Sequence, residues 1–148
     1  MDTPTLAEIE ALFAELTPAS LPNWGRMDAA QMVRHCRGFV ELCLGRVATG
    51  RAVRIAARMI GPLLLARMLR KSPKAAPRNL KTLKPLRTAQ QSGLDLATER
   101  AQFFRALREL AAAPDPMPHP LYGATAREQV IGLVRHHTAH HLHQFGLL

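Results

Sequence analysis

Four segments of this chain combine a helix start signal with apolar residues at helical spacing, and this feature constrains the fold most. Each signal is a side chain that can accept a hydrogen bond from a free N–H group of the first helical turn. In three of the four, a glutamate or glutamine three residues on completes a capping box. The signals are Thr5 with Glu8, Asp28 with Gln31, Ser92 or Asp95, and Thr125 with Glu128. No segment shows the period-two alternation of a half-buried strand.

The predicted helices end at glycine or proline. The first stops before Pro18, the second at Gly45 and the third before Pro114. Residues 51–71 are predicted to form a further helix that is kinked or broken at Gly61-Pro62. Residues 72–91 are predicted to form a long loop. The loop at residues 114–120 is too rich in proline for regular structure.

These patterns predict an all-α fold. The expected architecture is a four-helix bundle with an extra helical crossover and a long basic loop, in a single domain that covers residues 1–148. The sequence leaves open whether the chain is a monomer or a homodimer.

The two cysteines predict a reducing compartment. Cys36 and Cys43 lie seven residues apart on the second predicted helix, a rise of about 10 Å, whereas a disulfide needs Cα atoms within about 7 Å. The sequence shows no secretory signal and no apolar stretch of the roughly 20 residues that span a bilayer. We therefore expect a soluble, cytoplasmic protein without a membrane span.

Five of the seven histidines lie between residues 136 and 143, on the last predicted helix. At about 100° per residue, His137 and His141 fall in the middle of the apolar stripe that contains Val130 and Val134. An i, i+4 pair of this kind lets two imidazoles converge on one ion.

The remaining histidines of this helix take other directions. His136 and His143 fall on the opposite side and are predicted to point to solvent, and His140 lies at the edge of the stripe. His35 lies at the centre of the apolar face of the second helix. Two helices that share one core would therefore bring His35, His137 and His141 together.

Three inward histidines predict a site for one divalent transition metal ion. Three protein ligands leave one coordination position for water or substrate, and a set of three histidines suits zinc, nickel, iron or copper. Binding should weaken below about pH 6.5, because the ligands must be neutral. The alternative is a group of core histidines satisfied by ordinary hydrogen bonds. Cys36 is a competing ligand, but its direction differs from that of His35 by about 100°, which favours a small buried residue.

Three motifs resemble the DinB/YfiT-like superfamily. HTAHHLHQFG at residues 137–146 is similar to its last-helix motif, HxxHHRGQ. The HHLxQFG ending, HPLYG at residues 119–123 and WGxMxxxQMxxH at residues 24–35 are similar to one uncharacterised branch of it. Residues 46–93 carry no such resemblance, and Leu142 stands where many relatives have Arg.

The resemblance implies a four-helix bundle in which one histidine of the second helix and two of the last bind a divalent metal, often nickel or zinc. By position these are His35, His137 and His141. It also implies a metal-dependent enzyme, a transferase or hydrolase, with thiol-S-transferase activity and a low-molecular-weight thiol as the first expectation. The alternative is a non-catalytic metal-binding helical module whose basic surface meets an anionic partner. The sequence itself identifies no catalytic residue.

Four further residues are candidates for binding substrate or supporting the ligands. Gln144 lies one turn from His141, where it would orient that imidazole or a bound water, or else face solvent. His119 would stand at the mouth of the site or act as a proton shuttle, or else brace the HPLYG turn. Tyr122 would contact a bound ligand or pack. His140 lies beside His141.

The net charge of +9 is concentrated in one region. Leu42 to Leu94 contains twelve basic, no acidic and no aromatic residues, and the rest of the chain has a net charge of −3. The region therefore lacks the stacking platforms of single-strand nucleic-acid readers and the Trp or Phe anchors of a membrane-surface helix. We expect it to steer an anionic small molecule to the metal and not to bind nucleic acid, with a merely solvated surface as the alternative.

Overall fold

The computed structural model describes residues 3–148, and these residues are mostly helical. Their elements are α1 (Leu6–Ala14), α2 (Ala29–Cys43), α3 (Arg51–Leu69), α4 (Leu96–Ala111), β1 (Met117–His119), β2 (Gly123–Thr125) and α5 (Arg127–Gln144). Two 3-10 turns, Pro73–Ala75 and Lys84–Leu86, lie between α3 and α4. The prediction of a helical fold is confirmed, with the addition of a small antiparallel sheet.

Three of the four predicted helix starts are confirmed. Thr5 and Glu8 form the capping box of α1, and Asp28 and Gln31 form that of α2. Asp95, one of the two candidates, caps α4 by accepting a hydrogen bond from the N–H of Thr98 at 2.8 Å. Local hydrogen-bonding chemistry therefore sets where these helices begin.

The fourth predicted start, a capping box at Thr125, is wrong. Thr125 belongs to β2, pairs with Met117 and donates its hydroxyl to the carbonyl of Gly123. The side chain of Asp115 instead accepts the first N–H of α5, that of Arg127, at 3.0 Å. Residues 114–120 are consequently not devoid of regular structure, because β1 lies within them. A two-stranded sheet tolerates Pro118, since each of its strands is an edge strand.

Helix α3 runs through Gly61-Pro62 as one element and is not broken there. Gly61 is buried against the ring of Tyr122, and a Cβ atom at this position would lie 2.5 Å from Tyr122 Cδ1. Neither α3 nor any other helix in residues 3–148 is long and apolar enough to cross a membrane.

Helix α5 contacts each of the other four described helices. Helix α2 packs on α4 as well as on α5, and α1 packs on α4. The buried core between them is built from aliphatic side chains with Phe13, Phe103 and Phe145. This packing turns the inner faces of α2 and α5 towards each other, which positions the site.

The chain between α3 and α4 is tied across these two helices. The 3-10 turn at residues 73–75 contacts α5, and the turn at residues 84–86 contacts α2. Thr88 Oγ1 donates to the carbonyl of Gln31 at 2.8 Å, and Gln31 Nε2 donates to the carbonyl of Gln91 at 2.7 Å. The predicted long loop is thus an anchored cover over the ends of α2 and α5.

Candidate metal centre

His35 from α2 and His137 and His141 from α5 converge at one point. One ring nitrogen from each lies within 4.8 Å of the other two. The Nε2 atoms of His35 and His137 are 3.1 Å apart. The structure thus brings together the three histidines that helical periodicity placed on inner faces.

The ring of His35 is oriented by the backbone of the 3-10 turn at residues 84–86. Its Nδ1 lies 2.7 Å from the carbonyl oxygen of Leu86. A carbonyl can only accept, so Nδ1 carries the proton and the Nε2 lone pair faces the cluster. Leu86 lies 51 positions away from His35 in the chain, and no sequence pattern predicts this hydrogen bond.

His141 is oriented by Gln144. Its Nδ1 lies 2.7 Å from Gln144 Oε1, and Gln144 Nε2 donates to the carbonyl of Trp24 at 2.7 Å. The Trp24 carbonyl fixes which end of the amide is the acceptor, so His141 Nδ1 must be the donor. The Nε2 atom of His141, like that of His35, therefore keeps its lone pair for a ligand.

Gly25 makes this arrangement possible. Its backbone has φ +86, and a Cβ atom here would lie 2.5 Å from Gln144 Nε2. A glycine adopts this left-handed conformation without strain and leaves the space that the amide occupies. The Trp24-Gly25 motif thus supports His141, a role that the spacing of the motif does not reveal.

His137 is held by stacking. Its ring lies parallel to that of Phe39, with centroids 4.0 Å apart and an angle of 12°. Its Nδ1 is buried and has no hydrogen-bond partner within residues 3–148. The ring is thus fixed in orientation while its Nε2 points at the cluster.

The donor set fits a transition metal ion. Imidazole nitrogens that share a zinc ion each lie about 2.0–2.1 Å from it, and so roughly 3–3.5 Å from one another. The Nε2 separation of 3.1 Å between His35 and His137 falls in that range. His35 and His141 each donate the N–H of Nδ1 to an acceptor, which leaves Nε2 for the metal. Metal-bound histidines usually make a hydrogen bond of this kind with their second ring nitrogen.

Burial keeps all three imidazoles neutral. Loss of solvent lowers the pKa of His35, lowers that of His137 well below its usual value and lowers that of His141 to about 3. The neighbouring imidazoles lower the pKa of His137 and His141 further. In the folded chain, protons should therefore compete with a metal only at lower pH than the 6.5 of an unperturbed histidine.

We expect the free energy of unfolding of the metal-free chain to fall as the pH drops below about 6.5. The unfolded chain then takes up protons that the folded chain refuses, so stability present above pH 6.5 is lost towards the lowered pKa. His119, with a pKa lowered by burial to about 4, and His141 should each contribute a loss of roughly 1.4 kcal/mol per pH unit. Urea unfolding at pH 7, 6 and 5 measures this slope.

A matched variant identifies the source of that slope. His141→Asn should reduce it by the contribution of one histidine, because asparagine does not titrate. Equal unfolding free energies at pH 7 and pH 5 would contradict the buried neutral state of these imidazoles.

The direction predicted for His136 is wrong. His136 is buried, and its Nε2 donates to the carbonyl of Lys71 at 3.1 Å. The helical wheel placed it opposite the core stripe, but the end of α3 covers that side of α5. His143 is only partly exposed, because its ring lies against Trp24, with centroids 5.2 Å apart.

Of the remaining candidates, His140 lies beside His141, and His119 lies apart from the three histidines. His140 is half-buried, with its Nδ1 3.3 Å from the carbonyl of Pro73. His119 accepts the N–H groups of Leu121 and Tyr122 at its Nδ1 and stacks on the Tyr122 ring. His119 therefore braces the turn between β1 and β2 and does not reach the cluster.

Both cysteines are buried free thiols. Burial raises the pKa of Cys36 far above its usual value and that of Cys43 to about 12. The Cys36 thiol lies 3.7 Å from the sulfur of Met32. A thiol that resists deprotonation and faces the core is a poor ligand, which supports the interpretation of Cys36 as a small buried residue.

The three histidines lie in the wall of a cavity of about 850 Å³. Tyr122, His140 and Gln144 also line it. Among the described residues in its wall, none is acidic and five carry a full positive charge: Arg26, Arg67, Lys71, Lys81 and Arg87. Four of these five come from the acid-free region between α2 and α4, which the fold places over the histidines.

Residues 3–146 match the model of a family described as a protein of unknown function, DUF1569. The match covers nearly the whole sequence, so the chain belongs to that family. No curated protein and no solved structure gives a match to it.

Proposed function

We propose that this member of the DUF1569 family is a metal-dependent enzyme whose one divalent transition metal ion is bound by His35, His137 and His141. The observation that carries the proposal is the convergence of three neutral imidazoles, two of which have Nδ1 committed to an acceptor. In the metal-free chain, a His137 Nε2–H could donate to the lone pair of His35, but the Nε2 lone pair of His141 then has no partner within residues 3–148 unless a ligand binds it. A metal ion supplies that partner.

The position of the cluster favours catalysis over a purely structural site. The three histidines line a cavity large enough for a small molecule, and three ligands leave a coordination position open to it. A bound ion would supply Lewis acidity there, which lowers the pKa of a bound thiol or polarises a carbonyl. The chain itself fixes the imidazoles through Leu86, Gln144 and Phe39 and surrounds the substrate with apolar and cationic side chains.

For the reaction, we propose thiol transfer to a small electrophile, with a low-molecular-weight thiol as co-substrate. The proposed reaction rests on the resemblance to the DinB/YfiT-like superfamily. From the same resemblance we propose that α1, α2, α4 and α5 form a four-helix bundle. Their mutual packing around one core supports that architecture. Leu142, which stands where many members of that superfamily have arginine, is buried. An arginine at this position would need a buried partner for its charge.

The test is a measurement of metal content on protein purified without an affinity tag or added metal, followed by a screen of thiols and electrophiles. We expect about one zinc or nickel ion per chain and thiol-dependent turnover that chelation removes. Absence of binding for every divalent transition metal would reject the proposal.

The second candidate function is a non-catalytic metal-binding module whose basic surface meets an anionic partner. The observation that favours it is the acid-free region from Leu42 to Leu94, which extends well beyond the cavity. X-ray absorption spectroscopy separates the two, because a closed site with four protein ligands supports the module and an exchangeable fourth position supports the enzyme.

We expect the cavity to select anionic small molecules. Arg67→Gln and Arg87→Gln should each weaken binding of a dicarboxylate such as succinate to the zinc-loaded chain by about tenfold, the size of one charge-assisted contact. Added salt should also slow association. Calorimetry and stopped-flow binding measure both effects.

The control for that experiment is Arg108→Gln, which removes an exposed cation of α4 outside the cavity. Unchanged succinate binding in all three variants would contradict the prediction. Tight, length-dependent binding of DNA or RNA that is lost when Lys74, Arg78, Lys81 and Lys84 are neutralised would instead favour the module.

A further inference from the structure

Helix α3 turns an apolar face towards solvent. Six of its large apolar side chains are 40–79% exposed: Val53, Ile55, Met59, Ile60, Leu63 and Leu64. The helix is held to the protein by its other side, where Gly61 and Leu65 are buried. This orientation is the reverse of the usual one, in which a surface helix buries its apolar stripe.

The most exposed residues form a continuous crest. Ile55, Met59 and Leu63 follow at i, i+4 and i+8, so they lie one above another on the same face. Their exposed fractions are 56%, 79% and 74%. Ala52, Ala56 and Ala66 are exposed and extend the crest without adding a polar group. An exposed apolar patch rimmed by polar groups is typical of an interaction surface.

Arginines border the crest on one side and at one end. Relative to Met59, Arg51 and Arg58 lie about 80–100° to one side, and Arg70, at the end of the helix, lies within about 20° of the crest direction. All three are exposed. Neither α3 nor the remainder of residues 42–94 contains a carboxylate that could neutralise them. The partner of this face must therefore accept apolar side chains along the crest and positive charge beside it and at its end.

We propose that α3 is an interfacial helix that docks the protein on an anionic phospholipid surface. The crest would enter the boundary between headgroups and acyl chains, and the flanking guanidinium groups would lie at the level of the phosphates. An apolar face bordered by Arg or Lys is the pattern of helices that lie in this boundary, and Ile55, Met59 and Leu63 would take the place of the Trp and Phe anchors that this region lacks. Arginine also suits phosphate, because its planar fork can donate two parallel hydrogen bonds.

Two other occupants fit the surface less well. A symmetric contact between the α3 helices of two copies would bring arginines against arginines, with no acidic residue on the helix to offset them. A nucleic acid would meet the positive flanks but would leave the crest of Ile55, Met59 and Leu63 against water or phosphate. A surface that is apolar below a layer of negative charge complements both parts.

The test is co-sedimentation of the full chain with vesicles of phosphatidylcholine alone and with vesicles that also contain about 30 mol% phosphatidylglycerol. We expect binding to the anionic vesicles only. Arg51→Gln with Arg58→Gln should weaken it by about 25-fold, or roughly fivefold for each charge near an anionic surface. Met59→Ser with Leu63→Ser should weaken it by about tenfold or more.

Two matched controls keep the result interpretable. Leu21→Ser changes a leucine of equal exposure in the loop before α2, and Arg108→Gln removes an exposed arginine of α4; neither should alter vesicle binding. Circular dichroism checks that each variant is folded, which we expect because the altered side chains lie in solvent. Equal binding to neutral vesicles, or none to anionic ones, would overturn the proposal. So would a concentration-dependent dimer in sedimentation velocity that the Met59→Ser, Leu63→Ser variant abolishes.

Discussion

Replacement of His35, His137 or His141 by alanine is expected to remove most of the bound metal. Each change deletes one of the three proposed ligands and leaves two imidazoles, which we expect to hold the ion only weakly. The loss of metal affinity should exceed the roughly 10–100-fold that is typical when a residue hydrogen-bonded to a ligand, and not the ligand itself, is removed. Metal content of the purified variants and competition with a chromophoric chelator measure it.

The control for these variants is His143→Ala. His143 lies on the same helix, but its Nδ1 donates to the carbonyl of Leu148 and its ring lies against Trp24. Its removal should leave metal affinity nearly unchanged. His136→Ala is less suitable, because it also leaves the carbonyl of Lys71 without its buried donor. If His143→Ala lost as much metal as His137→Ala, the three-histidine assignment would be wrong.

Gln144→Ala is expected to lower metal affinity by about 10–100-fold although Gln144 does not bind the ion. Without its Oε1, nothing holds the proton of His141 on Nδ1, and the lone pair of Nε2 is no longer fixed towards the cluster. The variant also frees the carbonyl of Trp24. A chelator competition assay at pH 7.5 gives the affinity.

Gln144→Glu is the informative partner of this variant. A carboxylate still accepts the N–H of His141 but cannot donate to Trp24, so affinity should stay within a few-fold of the original. If both variants lost the metal equally, Gln144 would act through the Trp24-Gly25 loop and not through His141. Unchanged affinity in Gln144→Ala would show that the tautomer of His141 is set by another group.

The sequence by itself determined the local elements and the inner faces of two helices. A capping side chain and the free amides of the first turn lie within four residues of each other, so helix starts such as those at Thr5 and Asp28 depend on local chemistry alone. The same holds for the inward direction of His137 and His141, because the pitch of the helix relates residues on one turn.

Other features depended on contacts between distant segments. Thr125 had the spacing of a capping residue, yet pairing with Met117 drew it into a strand and Asp115 replaced it. Helical periodicity describes one helix and cannot tell whether a second segment covers its far side. His136 is buried for that reason.

The chemistry of the centre was decided by tertiary structure. The proton positions of His35 and His141 follow from the carbonyl of Leu86 and the amide of Gln144, and the latter is fixed by Trp24. The outward apolar crest of α3 also followed from packing, since its sequence alone does not say which side meets the protein. Short-range backbone geometry fixed where the side chains point along each helix. Only the packing of distant segments decided which of those directions became core, ligand site or exposed surface.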